Sequence, residues 1–244
     1  MTPVLRFEGV WKAFVRGDDR VSVLEDVSLE VAAGEVAAVV GARGRGKTTL
    51  LRVASGTLSA DRGSVTVRGR ELTGVSDRKL TDVLQADLKV AVRSGPWVRF
   101  NVNDYVEMSL VATREYKRKQ RCERVAQTLE LVGLEGCGAL KWEELSDWQR
   151  VLAEFAQAIV THPRLLLVDD VVDGLALDHK QAAMTLMEGF AKDLGCSVLM
   201  AVSDHAAALR SAKVWQLLNG HLELMHKDTD ITYLHQPSEG GQAL

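Results

Sequence analysis

The chain of 244 residues is 46% hydrophobic and 26% charged, with 20 glycines and only 4 prolines, a balance that fits a folded α/β protein and excludes disordered, collagen-like and fibrous classes. Its 30 basic and 33 acidic side chains leave a formal charge of -3; no whole-molecule field would hold a nucleic-acid backbone, so any polyanion site must be local. The longest unbroken apolar run, Val36 to Ala42, is seven residues, short of the roughly 20 a membrane helix needs.

Met1 to Phe14 alternates in polarity and lacks a signal-peptide core. Val4 to Trp11 and Val21 to Val31 read as two antiparallel strands around the polar turn Arg16-Gly17-Asp18-Asp19. From Glu35 the pattern changes to the small apolar run Val36-Ala37-Ala38-Val39-Val40, which breaks at Gly41 and reads as a buried parallel strand. Ser64 to Arg68 is β-prone and can join the antiparallel layer. Asp77 to Ile159 carries mostly helical spacing, as at Val125, Leu129, Leu131 and Val132. After His162-Pro163, Leu165 to Val168 and Val198 to Val202 read as strands with a helix from Gln181 to Leu194 between them, which predicts a parallel sheet. Val214 to Met225 reads as a hairpin about Asn219-Gly220, and the polar end of the chain predicts little order.

Gly41-Ala42-Arg43-Gly44-Arg45-Gly46-Lys47-Thr48 fits G-x-x-x-x-G-K-[ST] between a predicted strand and the helical run from Thr49 to Ala54. In that setting glycines let successive N–H groups turn onto phosphates and the helix start adds its positive dipole end. Lys47 then reaches the terminal phosphates, and Thr48 offers a hydroxyl to Mg²⁺. A plain glycine turn explains neither Lys47 nor the hydroxyl after it. Asp169, at the end of the second strand, suits a carboxylate that holds Mg²⁺ through water. It lies far beyond the roughly 30 residues of a βαβ unit, so the fold expected is a P-loop NTPase core of mostly parallel sheet with an N-terminal antiparallel β layer and an inserted helical subdomain. The corresponding division is 1–90 and 160–226 for the ATP-binding core, 91–159 for the helical subdomain and 227–244 for a polar tail.

Val21 to Leu29, Gly34-Glu35, the Gly41 to Thr49 loop, Glu144-Leu145-Ser146 and Leu167-Val168-Asp169 together resemble an ABC-transporter nucleotide-binding subunit over about residues 4 to 225. The likeness is greatest to the branch serving lipoprotein-releasing and macrolide-exporter systems. It implies a cytosolic motor, peripheral on the inner face of the cell membrane, that binds ATP and Mg, works with separate transmembrane subunits and dimerises head to tail. Phe14 then falls at the aromatic that stacks on adenine, with Trp11 as the neighbouring alternative and core packing as the plain one.

The chain departs from the pattern of that family at several positions. Asp170 stands where a glutamate orients or deprotonates the attacking water, one methylene short. Asp204 aligns with the switch histidine, with His205 one residue out of register. The signature loop runs Ser146-Asp147-Trp148-Gln149 without its two glycines, so an anion and a bulky ring oppose the partner's phosphate. Arg93 lies in the region of an expected glutamine, and Asp178 is displaced by two from its place in the next loop. These changes predict weak or lost hydrolysis and favour a homodimer, because a heterodimer would have both composite sites spoiled. The alternative is a non-hydrolysing pseudo-ATPase that scaffolds a membrane complex through ATP binding.

Arg114, Lys117, Arg118, Lys119, Arg121 and Arg124 make a basic stretch, read as a solvated helix face or a contact to lipid headgroups or an acidic partner loop. The histidines, His162, His179, His205, His221, His226 and His235, show no metal spacing, and Cys122, Cys137 and Cys196 are too far apart for a C-x-x-C site and read as reduced cytosolic thiols. No protein-bound metal beyond Mg with ATP is expected, and no nucleic-acid partner.

Overall fold

The computed structural model describes residues 2–17, 19–74, 87–93, 100–208 and 210–225. The polar segment 227–244, with His226, and residues 77–86 and 94–99 of the stretch read as helical lie outside them. The chain runs through β1 (Leu5–Arg16), β2 (Asp19–Val31), β3 (Val36–Val40), α1 (Lys47–Ala54), β4 (Arg62–Val67), β5 (Arg70–Glu71) and β6 (Leu88–Val92). It continues through α2 (Val102–Thr113), α3 (Arg118–Val132), a 3₁₀ turn (Trp142–Glu144), α4 (Asp147–Ile159), β7 (Leu165–Asp169), α5 (Leu177–Asp193), β8 (Ser197–Val202), α6 (His205–Ala208), β9 (Lys213–Leu218) and β10 (His221–Leu224).

Two sheets result. The antiparallel layer has the order β2-β1-β4-β5, and the second sheet has the order β10-β9-β3-β8-β7-β6, parallel except for the β10 hairpin strand. Asn219 and Gly220 turn that hairpin with φ of 50° and 86°, the left-handed pair that a two-residue hairpin loop needs. Within the antiparallel layer β1 and β4 come close at an irregularity in their pairing: a Cβ on Gly63 would stand 2.2 Å from the Gly9 carbonyl oxygen, so only glycine fits there.

The central strands are apolar throughout because both of their faces are covered. Leu165 and Leu167 of β7, Leu199 and Ala201 of β8, and Ala37 and Val39 of β3 pack with Phe7, Leu24 and Leu50 under the antiparallel layer and α1. Their alternate neighbours, Leu166, Val168, Val198, Met200 and Val202, pack with Phe155 and Phe190 of α4 and α5, whose rings meet edge to face at 6.0 Å. The same second cluster continues through Val106, Leu110, Val125, Leu129 and Leu152, joining α2, α3 and α4 into a helical layer beside the sheet. Leu131, by contrast, is exposed.

One element differs from the sequence reading. Leu88 to Val92 lies in the stretch read as helical but is a strand, paired in parallel with β7 from Leu88↔Leu165 to Val92↔Asp169. It is an edge strand with only Leu88 and Ala91 buried, too short and mixed to stand out from helical spacing. It also crosses residue 91, where the sequence places the start of the helical module. Two members of the basic stretch are tied within the helical layer, Arg121 pairing with Glu107 at 2.7 Å and Arg124 donating to the Val160 carbonyl at 2.7 Å, while Arg114, Lys117, Arg118 and Lys119 are exposed.

Candidate functional site

The loop from Gly41 to Gly46 joins the buried end of β3 to the first turn of α1. Gly44 and Gly46 take φ of 76° and 100°, conformations open to glycine at no steric cost. A Cβ on Gly46 would also lie 2.8 Å from Val23 Cγ1, because β2 passes directly over the loop. Lys47 is buried, with Nζ donating to the Gly41 carbonyl at 2.9 Å and to Ser203 Oγ at 3.0 Å. The ammonium is therefore held inside the loop and against the residue that follows β8.

Thr48 and Asp169 come together although they are far apart in the chain: Thr48 Oγ1 donates to Asp169 Oδ1 at 3.1 Å. A hydroxyl and a carboxylate at that separation form a hard oxygen donor set of the kind Mg²⁺ prefers, so the residues present fit the ion. Asp170 follows in a left-handed turn, φ 51°, with Oδ1 3.6 Å from Lys47 Nζ. That oxygen is buried and makes no hydrogen bond among the described residues. Burial pushes both carboxyls above their usual range, against the opposing pull of Lys47 on each and the Thr48 hydrogen bond on Asp169. The neighbouring Asp173 adds to the rise in both.

Asp173 is a site residue that the sequence reading missed. It is buried, its Oδ1 accepts from the Ser203 backbone N–H at 3.3 Å, and its Oδ2 has no hydrogen-bond partner among the described residues. Its carbonyl accepts from Arg93 Nη1 at 2.9 Å. The available signal was a third aspartate within five residues of the β7 end, next to a pair already singled out.

Asp204, aligned with the switch position, has a side chain 43% exposed and accepts from Lys180 Nζ at 2.6 Å. His205 has its Nε2 buried with no hydrogen-bond partner among the described residues. The signature residues do structural work within the chain. Ser146 caps α4 by accepting from Gln149 N at 3.2 Å, while Gln149 Oε1 accepts from Ser146 N at 2.9 Å, a reciprocal capping box. Asp147 lies 3.3 Å from Arg150 and 3.9 Å from Arg93. Trp148 stacks on His179 of α5 with ring centroids 4.8 Å apart and planes 5° from parallel. Arg93 thus touches both the turn after β7 and the start of α4, and Asp178 lies in the first turn of α5.

Phe14 is 39% exposed, and its pairing partner in β2 is Val21, two residues from the Val23 that covers Gly46. Trp11 lines a separate cleft of about 260 Å³ with Lys12, Arg20, Ser22 and Asp61. The remaining loop residues, Ala42, Arg43, Arg45 and Thr49, lie where the sequence puts them, between β3 and the first turn of α1.

A model described as ABC transporter matches residues 24–173. The lipoprotein-releasing system ATP-binding protein LolD of Francisella tularensis is 29% identical, over 91% of this chain and 96% of its own. The methionine import ATP-binding protein MetN 2 of Rhodococcus jostii is 30% identical, over 89% of this chain and 66% of its own. Among solved structures, a dimeric ATP-binding cassette in a post-hydrolysis state bound to ADP and Pi superposes with a TM-score of 0.83 at 20% identity, covering 91% of this chain and 98% of the other. With the phosphate loop, the Thr48 and Asp169 pair and the two-layer sheet in place, the matches make the assignment direct: this chain belongs to the ABC transporter family, as an ATP-binding cassette.

Proposed function

We propose that the chain is the nucleotide-binding subunit of a transporter or transporter-like membrane complex, that it binds Mg-ATP along Gly41 to Thr48 and that it turns ATP over slowly. The observation that carries this reading is the loop itself: a turn after β3 with Gly44 and Gly46 at positive φ, a buried ammonium at Lys47, and Thr48 Oγ1 3.1 Å from Asp169. Phe14 is the proposed adenine contact. Thr48 and Asp169 are the residues that would hold Mg²⁺, which neutralises charge on the phosphates when bound. No helix among the described residues is long and apolar enough to cross a membrane, and the reading assigns that role to separate transmembrane chains, with this subunit on the inner membrane face.

Slow turnover is supported by Asp170, a carboxylate one methylene shorter than glutamate and already drawn toward Lys47. It is supported further by the changed signature loop, whose Ser146 and Gln149 cap α4. Because this chain carries changes on both halves of a head-to-tail pair, a homodimer is favoured over a heterodimer.

Equilibrium binding of a fluorescent ATP analogue tests the loop. Lys47→Ala should weaken binding by about tenfold or more, as expected for loss of a charge-assisted contact. Wild type that binds no analogue, or an unchanged Lys47→Ala, would overturn the reading. Phosphate release at about 1 s⁻¹ or faster from the complete complex would overturn the slow-turnover part alone.

A further inference from the structure

The carboxylate at position 204 has a consequence for where the phosphate site finds its positive charge. Lys47 Nζ, the ammonium at the phosphate loop, donates to Ser203 Oγ at 3.0 Å, so the residues just after β8 border the place where terminal phosphates lie. Asp204 is the next residue and is 43% exposed. Alone, it would put a negative charge beside a phosphate that carries the same sign, in company with Asp169, Asp170 and Asp173. It is not alone. Lys180, from the first turn of α5, places Nζ 2.6 Å from Asp204 Oδ2, and its side chain is only 15% exposed. An ammonium has three N–H donors, and a single hydrogen bond to a carboxylate oxygen uses one of them.

We propose that Lys180, steered by Asp204, donates to the terminal phosphate of bound ATP, so that the cation on this side of the site comes from α5 and not from the loop after β8. The proposal rests on the reading of Gly41 to Thr48 as the ATP site. Lys180 is the phosphate-touching group and Asp204 a positioning residue. The pair explains why an aspartate is tolerated at 204: the carboxylate accepts from Lys180 and holds the ammonium in one direction.

The test compares ATP with ADP, because only ATP carries the terminal phosphate. Affinities of Mg-ATP and Mg-ADP are measured for wild type and for Lys180→Met, Lys180→Arg and Asp204→Asn. Loss of a charge-assisted hydrogen bond predicts about tenfold weaker ATP binding in Lys180→Met, with ADP changed by less than about twofold. Lys180→Arg should restore most of the ATP preference, and Asp204→Asn should fall between, since the ammonium remains but is no longer aimed. Unchanged ADP binding also reports that Lys180→Met is folded. If Lys180→Met shifts ATP and ADP together, or neither, the pair is only structural and the proposal fails while the phosphate loop stands. If wild type binds neither nucleotide, both fail together.

Discussion

Replacing Asp147 and Trp148 together by glycine should weaken the fold and strengthen ATP-dependent pairing in the same variant. The cost to the fold follows from what the two side chains touch. Trp148 gives up a parallel stack on His179 at 4.8 Å, worth roughly 0.5–1.5 kcal/mol for an aromatic pair. Asp147 gives up contacts to Arg150 and Arg93, but it is 69% exposed and solvent screening limits these to about 0–1 kcal/mol. Glycine at two positions of a first helical turn adds up to about 1 kcal/mol each relative to alanine. The Ser146 and Gln149 capping box is untouched, so α4 should still start at the same residue, and the total loss is roughly 0.5–4.5 kcal/mol. Pairing should move the other way. In the head-to-tail dimer proposed above the start of α4 would face the opposing phosphate, and removing a ring and an anion from it should tighten closure by about tenfold or more. Urea unfolding without nucleotide reads the first effect, and light scattering with and without Mg-ATP reads the second. If stability falls as expected but ATP-dependent dimerisation is unchanged or weaker, the two side chains are a latch between α4 and α5 and do not obstruct the partner.

Asp170→Glu should raise steady-state phosphate release from the complete complex by about tenfold or more, since a positioned base contributes about 10² to 10⁴. The backbone there has φ 51°, which aspartate tolerates better than glutamate, so the assay belongs well below the unfolding temperature; an unchanged rate would show that carboxylate reach is not limiting. His162 supplies a pH test. Burial, then the charges of Arg124 and Arg164, hold its imidazole below the ordinary value of 6.5. A base with a lowered folded pKa contributes stability that is present above the unfolded value and is lost as pH falls through the folded one. His162 has φ 53°, which asparagine accepts, so His162→Asn should be less sensitive to acid than wild type when urea midpoints at pH 7.5 and 5.5 are compared. Equal slopes would refute the assignment.

What could be read from the residues alone was what local chemistry dictates. The phosphate loop is contiguous, so its glycines, lysine and threonine state their roles at fixed offsets. β3, β7 and β8 announced themselves because strands covered on both faces cannot alternate, and the Asn219-Gly220 turn because few residues take two positive φ values in succession. Ser146-x-x-Gln149 carries the capping-box pattern, but the reading from the residues took it only as a signature loop. β6 was hidden because the buried residues of this five-residue edge strand, Leu88 and Ala91, lie three apart on opposite faces of the sheet, a spacing that reads as helical. Asp173, Lys180 against Asp204 and Trp148 against His179 were hidden for a different reason: each is a contact between segments that only the folded sheet brings together.

That difference changes what the departures from the family pattern mean. Taken one position at a time, Asp147, Trp148 and Asp204 each read as the loss of a working group. In the fold each has a partner of suitable chemistry: Arg150 and Arg93 flank Asp147, His179 stacks on Trp148, and Lys180 pairs with Asp204. A site decaying without constraint would be expected to leave charges in half-buried positions uncompensated, because each partner must change separately and an unpaired charge away from water is costly. Among the described residues, the buried carboxylate oxygens without a hydrogen bond are Asp170 Oδ1 and Asp173 Oδ2, on either side of the turn after β7 and close to Lys47 and Ser203. Those are the positions where a nucleotide with its cation would bring donors and positive charge. The charged substitutions away from the loop are compensated within the chain, whereas the unsatisfied carboxylate oxygens lie beside the loop, an arrangement that points to a site still built around a bound ligand.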